Sequence, residues 1–181
     1  MKVLSFDVES NGLHGAAFAV AGVLMNSKGE SLSECVSRCP LIGPVDPWVT
    51  ENVLGPMADI PENATDAHYM RNAFWVWYLE AKAKADFAVA ANPYPVEARF
   101  LIACQADDMP GRAFEHPFPL YDLSSMLYGL GCTTPASRKE FVDRAVAELD
   151  GQAHNPIWDA KATALAALQV ARSGKFSARP Q

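Results

Sequence analysis

The chain has 181 residues, half of them apolar and a fifth charged, which suits one globular domain and excludes collagen, coiled coil and wholesale disorder. Fifteen Lys and Arg stand against 21 Asp and Glu, for a net charge of −6; this excludes a protein that coats nucleic acid through bulk positive charge, though not one with a local basic groove. No segment approaches the roughly 18 apolar residues of a membrane span.

The predicted elements begin with strands. Lys2 to Val8 is apolar with a break at Ser5 and runs into acidic residues, and Asn11-Gly12 is a turn signal. Ala17 to Met25 is a second apolar run closed by Asn26-Ser27-Lys28-Gly29, and Glu30 to Arg38 alternates as a third strand. Such short turns favour antiparallel neighbours. Asp46-Pro47-Trp48 opens a short helix through Leu54, stopped by Gly55-Pro56. After a loop to Thr65, Asp66 can cap a helix to about Lys84, with Tyr69, Ala73, Val76, Trp77 and Glu80 near helical spacing. Phe87-Ala88-Val89-Ala90 reads as a compact buried strand, broken by Asn92-Pro93-Tyr94-Pro95 and followed by a helix from Val96 to about Gln105. Pro117 to Leu123 reads as a strand, Ser137 to Leu149 as a helix, Gly151 to Asn155 as a loop, and Pro156 to about Arg172 as the final helix. Residues 1–172 form one domain in this reading, with a polar tail over 173–181. The pattern is a mixed α/β sheet with helices on its faces.

The N-terminus reaches Asp7 too early for a signal peptide, so a cytoplasmic location is expected. Cys35, Cys39, Cys104 and Cys132 lack the companions of a zinc site and read as reduced, mostly buried thiols.

Three stretches carry candidate chemistry. Asp7 and Glu9, two apart on a strand, project to one face about 7 Å apart. Two like charges there repel unless something positive lies between them, and a divalent cation with oxygen ligands is an economical answer; a solvated strand end is the alternative. Asp159 falls in the first turn of the last helix, where the dipole favours a carboxylate, and His154 lies just before it. His154 suits a general base, or is simply a satisfied loop residue. Glu97 lies in the first turns of the helix after Asn92, as a ligand or as a solvated helical Glu.

Taken together, Asp7-Val8-Glu9-Ser10-Asn11-Gly12-Leu13, Glu97-Ala98-Arg99-Phe100-Leu101 and His154 followed four residues later by Asp159 resemble the three motifs of the DEDDh exonucleases, the superfamily of DnaQ-like 3′–5′ exonucleases. The order of the motifs agrees, and they span almost the whole chain. The second motif departs from the pattern: Glu97 replaces the usual Asp, and its spacing from Asn92 is one residue longer. The resemblance implies a ribonuclease H-like fold, a five-stranded sheet of three antiparallel strands and then two parallel ones, flanked by helices. It implies Asp7, Glu9, Glu97 and Asp159 as ligands of two Mg²⁺ or Mn²⁺ ions, with Glu97 binding directly or through water, and His154 as the base. Ser10, Asn11, Gly12, Leu13 and His14 would meet the terminal nucleotide of a single-stranded RNA or DNA 3′ end. A narrower similarity joins Asp46 to Leu54, and Phe118 to Leu123, to the small exoribonucleases related to mycobacterial RNase AS, which implies an RNA substrate and a homodimer.

Among Trp48, Trp75, Trp77, Tyr78, Tyr94 and Trp158, Tyr94 is the best stacking candidate because it lies in the loop next to Glu97. Arg99, Arg138, Lys139 and Lys161 are candidate phosphate contacts, or solvated helix residues. A second class open to the same fold is a non-catalytic module that binds nucleic acid or protein.

Overall fold

The computed structural model describes residues 1–174, so most of the expected tail lies outside the described residues. The elements, in chain order, are β1 (Lys2–Ser10), β2 (Ala17–Asn26), β3 (Ser31–Arg38), α1 (Pro47–Asn52), α2 (Ala67–Lys82), β4 (Phe87–Ala90), α3 (Val96–Ala106), α4 (Met109–Arg112), β5 (Leu120–Asp122), α5 (Leu123–Gly129), α6 (Pro135–Ala145) and α7 (Pro156–Arg172). The strands form one five-stranded sheet in the order β3-β2-β1-β4-β5. β1–β2 and β2–β3 pair antiparallel, while β1–β4 and β4–β5 pair parallel. This is the expected ribonuclease H-like arrangement.

The tight β2–β3 connection follows from its residues. The Asn26 side-chain oxygen accepts from the backbone N–H groups of Lys28 and Glu30, and Gly29 takes φ +89°, a conformation that costs other residues strain.

Alternation along β1 divides the core in two. Leu4, Phe6 and Val8 enter one cluster with Phe74, Trp75 and Tyr78 of α2 and Phe100 of α3. Val3 enters the other with Val89 and the Ala-rich face of α7. Ser5, Asp7 and Glu9 share Val3's parity, so the strand carries both acids on the side covered by α7. Ala160, Ala164 and Ala167 are fully buried; their small side chains let α7 lie close to β1 and β2.

Several boundaries differ from the sequence reading. The buried face of α2 is Met70, Phe74, Trp75, Tyr78 and Ala81, whereas Tyr69 and Val76 are exposed. The large rings decide the rotation, since Phe74 packs on Phe6 and Phe100 at centroid distances of 5.6 and 5.2 Å. The strand expected over Pro117 to Leu123 shrinks to three residues. Asp122 ends it by accepting from Ser124 N–H as the N-cap of α5, a helix absent from the sequence reading, as is α4. α6 starts at Pro135, ahead of Ser137, because Thr134 and Ser137 form a reciprocal capping box. It stops at Ala145, short of Leu149. All four cysteines are free, and Cys39 and Cys104 are buried; burial pushes the Cys104 thiol up to about 12.

Gly22 occupies the middle of β2 because the Trp77 indole lies across it. A Cβ there would stand 2.3 Å from the ring, and turning the ring away would break its N–H bond to the Ser33 hydroxyl. Gly22→Ala is therefore expected to destabilise the fold by about 1–3 kcal/mol, the usual cost of overpacking, read as a lowered urea midpoint at unchanged slope.

Candidate active site and metal centre

The site lies where β1 and β4, the two parallel central strands, end, a common place for ligands in sheets of this kind. β1 delivers Asp7 and Glu9, and the first turn of α7 delivers Asp159 from the covering layer. Oxygen atoms of these three carboxylates all fall within 4.8 Å of one another. Glu97, on the first turn of α3, lines the same cleft but stands outside that 4.8 Å group. It is the most enclosed of the four, at 7% exposure, and backbone N–H groups of Val8 and of Glu97 itself hydrogen-bond to its carboxylate. The sequence-expected acids thus share one cleft of about 340 Å³, three in a tight cluster and the longer fourth set beside them.

The loop before α7 is shaped for His154. Gly151 has φ +128°, and a Cβ there would meet the Trp158 ring at 2.4 Å. His154 itself takes φ +64°, and its backbone N–H hydrogen-bonds to the Asp159 carboxylate. Asn155 then caps the helix by accepting from Trp158 N–H, and donates its own side-chain N–H to Pro56 O at 3.1 Å. The imidazole is 43% exposed, with Nδ1 3.9 Å from Glu9 Oε1. Its edge meets the Trp48 ring at 5.2 Å in a T-shaped contact.

Trp48 is the residue the sequence reading underrated. It lies on α1, 53% exposed, and lines the cleft, as does Tyr94, which is 83% exposed. The other aromatic candidates pack elsewhere: Trp75 and Tyr78 are core residues, Trp77 covers Gly22, and Trp158 sits against Gly151.

Burial raises every acid of the cluster, and repulsion from neighbouring carboxylates adds to it at Asp7, Glu9 and Glu97. Asp7 is held well above the usual carboxylate range, first by desolvation and then by the charges of Asp159, Glu9 and Glu97. Desolvation and the Asp159 and Glu97 charges push Glu9 up to about 8. Desolvation leads for Glu97 and Asp159 as well, at about 7 each, against the hydrogen bonds that favour their charged forms.

Of the expected nucleotide loop, Ser10, Gly12 and Leu13 line the cleft, whereas Asn11 and His14 do not. Leu13 stands at its lip, 66% exposed. Asn11 is structural: it donates to Pro44 O at 2.9 Å and accepts from Asp46 N–H at 2.7 Å. The His14 carbonyl accepts from Arg99 at 2.8 Å. Arg99 also bonds Leu13 O at 3.1 Å, so it fastens the loop to α3. Lys139 is paired with Asp143 and Lys161 with Glu34.

Among the described residues, no Lys or Arg pairs with any of the four acids; the nearest basic side chain is His154, with Nδ1 3.9 Å from Glu9 Oε1. Three converging, desolvated carboxylates without a fixed counter-charge fit hard divalent cations, which take oxygen ligands and leave room for water. No helix among the described residues is long and apolar enough to cross a membrane.

No family model and no curated protein matches the sequence. Among solved structures, the nuclease domain of 3′hExo, a DEDDh family member bound to rAMP, is similar with a TM-score of 0.60, at 14% sequence identity, over 99% of this chain and 95% of that one. With its sheet order and flanking helices, the chain has the ribonuclease H-like fold of a DEDDh exonuclease domain.

Proposed function

We propose that the chain is a divalent-metal-dependent 3′–5′ exonuclease that acts on single-stranded 3′ ends, with RNA preferred over DNA, and releases nucleoside 5′-monophosphates. The observation that carries this reading is the convergence of Asp7, Glu9 and Asp159 within 4.8 Å, with His154 on the rim beside Glu9. Asp7, Glu9 and Asp159 would hold two Mg²⁺ or Mn²⁺ ions, with Glu97 completing the set directly or through water; ions bound there would supply the positive charge that activates the attacking water and stabilises the leaving 3′ oxygen.

The chain's own residues do the rest. His154 accepts the proton of the attacking water as the bond from phosphorus to the 3′ oxygen breaks. The Glu9 carboxylate beside Nδ1 stabilises the imidazolium that forms, and Trp48 restricts the ring's swing. Leu13 and Tyr94, both lining the cleft and both exposed, bracket the terminal nucleoside; an aromatic stack of this kind contributes about 1–3 kcal/mol per base.

End-labelled RNA and DNA oligonucleotides with a 3′ hydroxyl or 3′ phosphate, incubated with Mg²⁺ or Mn²⁺, test the reading. The expected result is stepwise shortening from the 3′ hydroxyl, blocked by the 3′ phosphate and by EDTA. An intact label after long incubation with Mn²⁺ sinks it, and binding that EDTA leaves unchanged, with no turnover in Mg²⁺ or Mn²⁺, favours the non-catalytic module instead. His154→Ala is expected to lower kcat by about 10²–10⁴-fold, the usual weight of a general base, with little change in KM under steady-state conditions.

A further inference from the structure

We infer that Arg99 and the cleft beside it form a phosphate subsite for the strand upstream of the scissile bond, an inference that rests on the exonuclease reading above. A second cleft, of about 160 Å³, opens between the β1–β2 loop and the α2–α3 layer. It meets the catalytic cleft at Ser10 and Val96, which line both. Apart from Arg71, Arg99 and Phe100 its walls are small and uncharged, including Gly15, Ala16, Ala67 and Ala103, so a sugar–phosphate backbone can lie close to the main chain.

Two guanidinium groups border this cleft, and their charge states differ. Arg71 is held by both oxygens of Asp107, at 2.6 and 2.8 Å, so its charge is compensated. Arg99 makes no ion pair among the described residues; its partners are the neutral carbonyls of Leu13 and His14. Those bonds use two of the five N–H donors of a guanidinium, leaving donors and a whole positive charge at an exposed position. Next to a catalytic cleft lined by four acids, an uncompensated cation beside an uncharged groove is suited to a mobile anion, and a polynucleotide supplies one at each linkage. The terminal nucleotide occupies the acidic cleft, and the preceding phosphate reaches Arg99.

The experiment compares a short single-stranded oligonucleotide with the p-nitrophenyl ester of thymidine 5′-monophosphate, which offers a terminal nucleoside and no upstream phosphate. Arg99→Gln is expected to lower kcat/KM on the oligonucleotide about tenfold more than on the ester, as loss of one charge-assisted contact implies. The slope of log kcat/KM against log salt on the oligonucleotide should fall by about 0.7, the value for one phosphate contact on a single strand. Arg99→Lys, which keeps the charge but not the fork that fastens the loop, should retain the slope. Equal losses on the two substrates, or an unchanged slope in Arg99→Gln, overturn the subsite and leave Arg99 a loop fastener only. Failure of the unsubstituted protein to cut the oligonucleotide overturns the nuclease reading and the subsite together.

Discussion

Asp7→Asn is expected to lower hydrolysis by about 10³-fold or more, the scale of loss when one member of a catalytic unit is removed, and to raise the melting temperature of the metal-free protein. Both effects come from one position. Asp7 stands at the centre of the cluster, enclosed and repelled by Asp159, Glu9 and Glu97. Its charge is useful only when cations offset it, and without them it opposes folding. Asn keeps the shape and removes the charge, so the protein trades its activity for stability. The pair of measurements is turnover of a labelled oligonucleotide in Mg²⁺ and thermal denaturation in EDTA. A metal-free Asp7→Asn protein that melts below the parent contradicts the account of the cluster, whatever its activity.

The second large effect is on stability as a function of pH. Folded pKa values near 8 for Glu9 and near 7 for Glu97 and Asp159 lie above those of the unfolded chain, about 4. Between these limits the folded protein binds protons that the unfolded chain has released, so folding stability falls as pH rises. The contribution is fully present below about pH 4 and is lost as pH passes through 7 and 8. Asp66 and Asp107 shift the opposite way, through hydrogen bonds from the Tyr69 N–H and the Arg71 guanidinium respectively; their contribution is lost only at more acidic pH and does not interfere above pH 5. In EDTA the melting temperature is therefore expected to fall by roughly 5 °C or more between pH 5.5 and 8.5, given about 2–4 °C per kcal/mol for a chain of this length. Excess Mg²⁺ should remove most of that fall. A melting temperature that rises with pH in EDTA contradicts the electrostatic description.

How much of this was legible in the sequence depended on the range of the interactions involved. Strand alternation put Asp7 and Glu9 on one face, and Pro156 placed Asp159 in a first helical turn; both are local facts. The His154 spacing was local too, and the motif order then suggested the fold. The position of Glu97 outside the tight carboxylate group was not legible, because it depends on how α3 rests on β1. Nor was the role of Trp48, whose contact with His154 joins residues 106 positions apart. The hold of Arg99 on the β1–β2 loop was not legible for the same reason, since its partners at Leu13 and His14 are 86 and 85 positions away. The short strand β5 and helices α4 and α5 were blurred because Asp122 ends one element and caps the next. A capping signal three residues long is easily lost inside an apolar run.

The stretch from Pro44 to Pro56 reads as a connection with a short helix in it, yet both ends of the candidate site hang from it. Asn11, after the first motif, bonds Pro44 and Asp46. Asn155, beside the third, bonds Pro56, and Trp48 lies between these anchors, against His154. This segment works as a strut that sets the gap between two motifs some 150 positions apart in the chain. A chain shortened here could keep its sheet and every side chain of the cleft and still misplace His154 relative to the acids, so the distance between the motifs belongs to the site as much as their residues do.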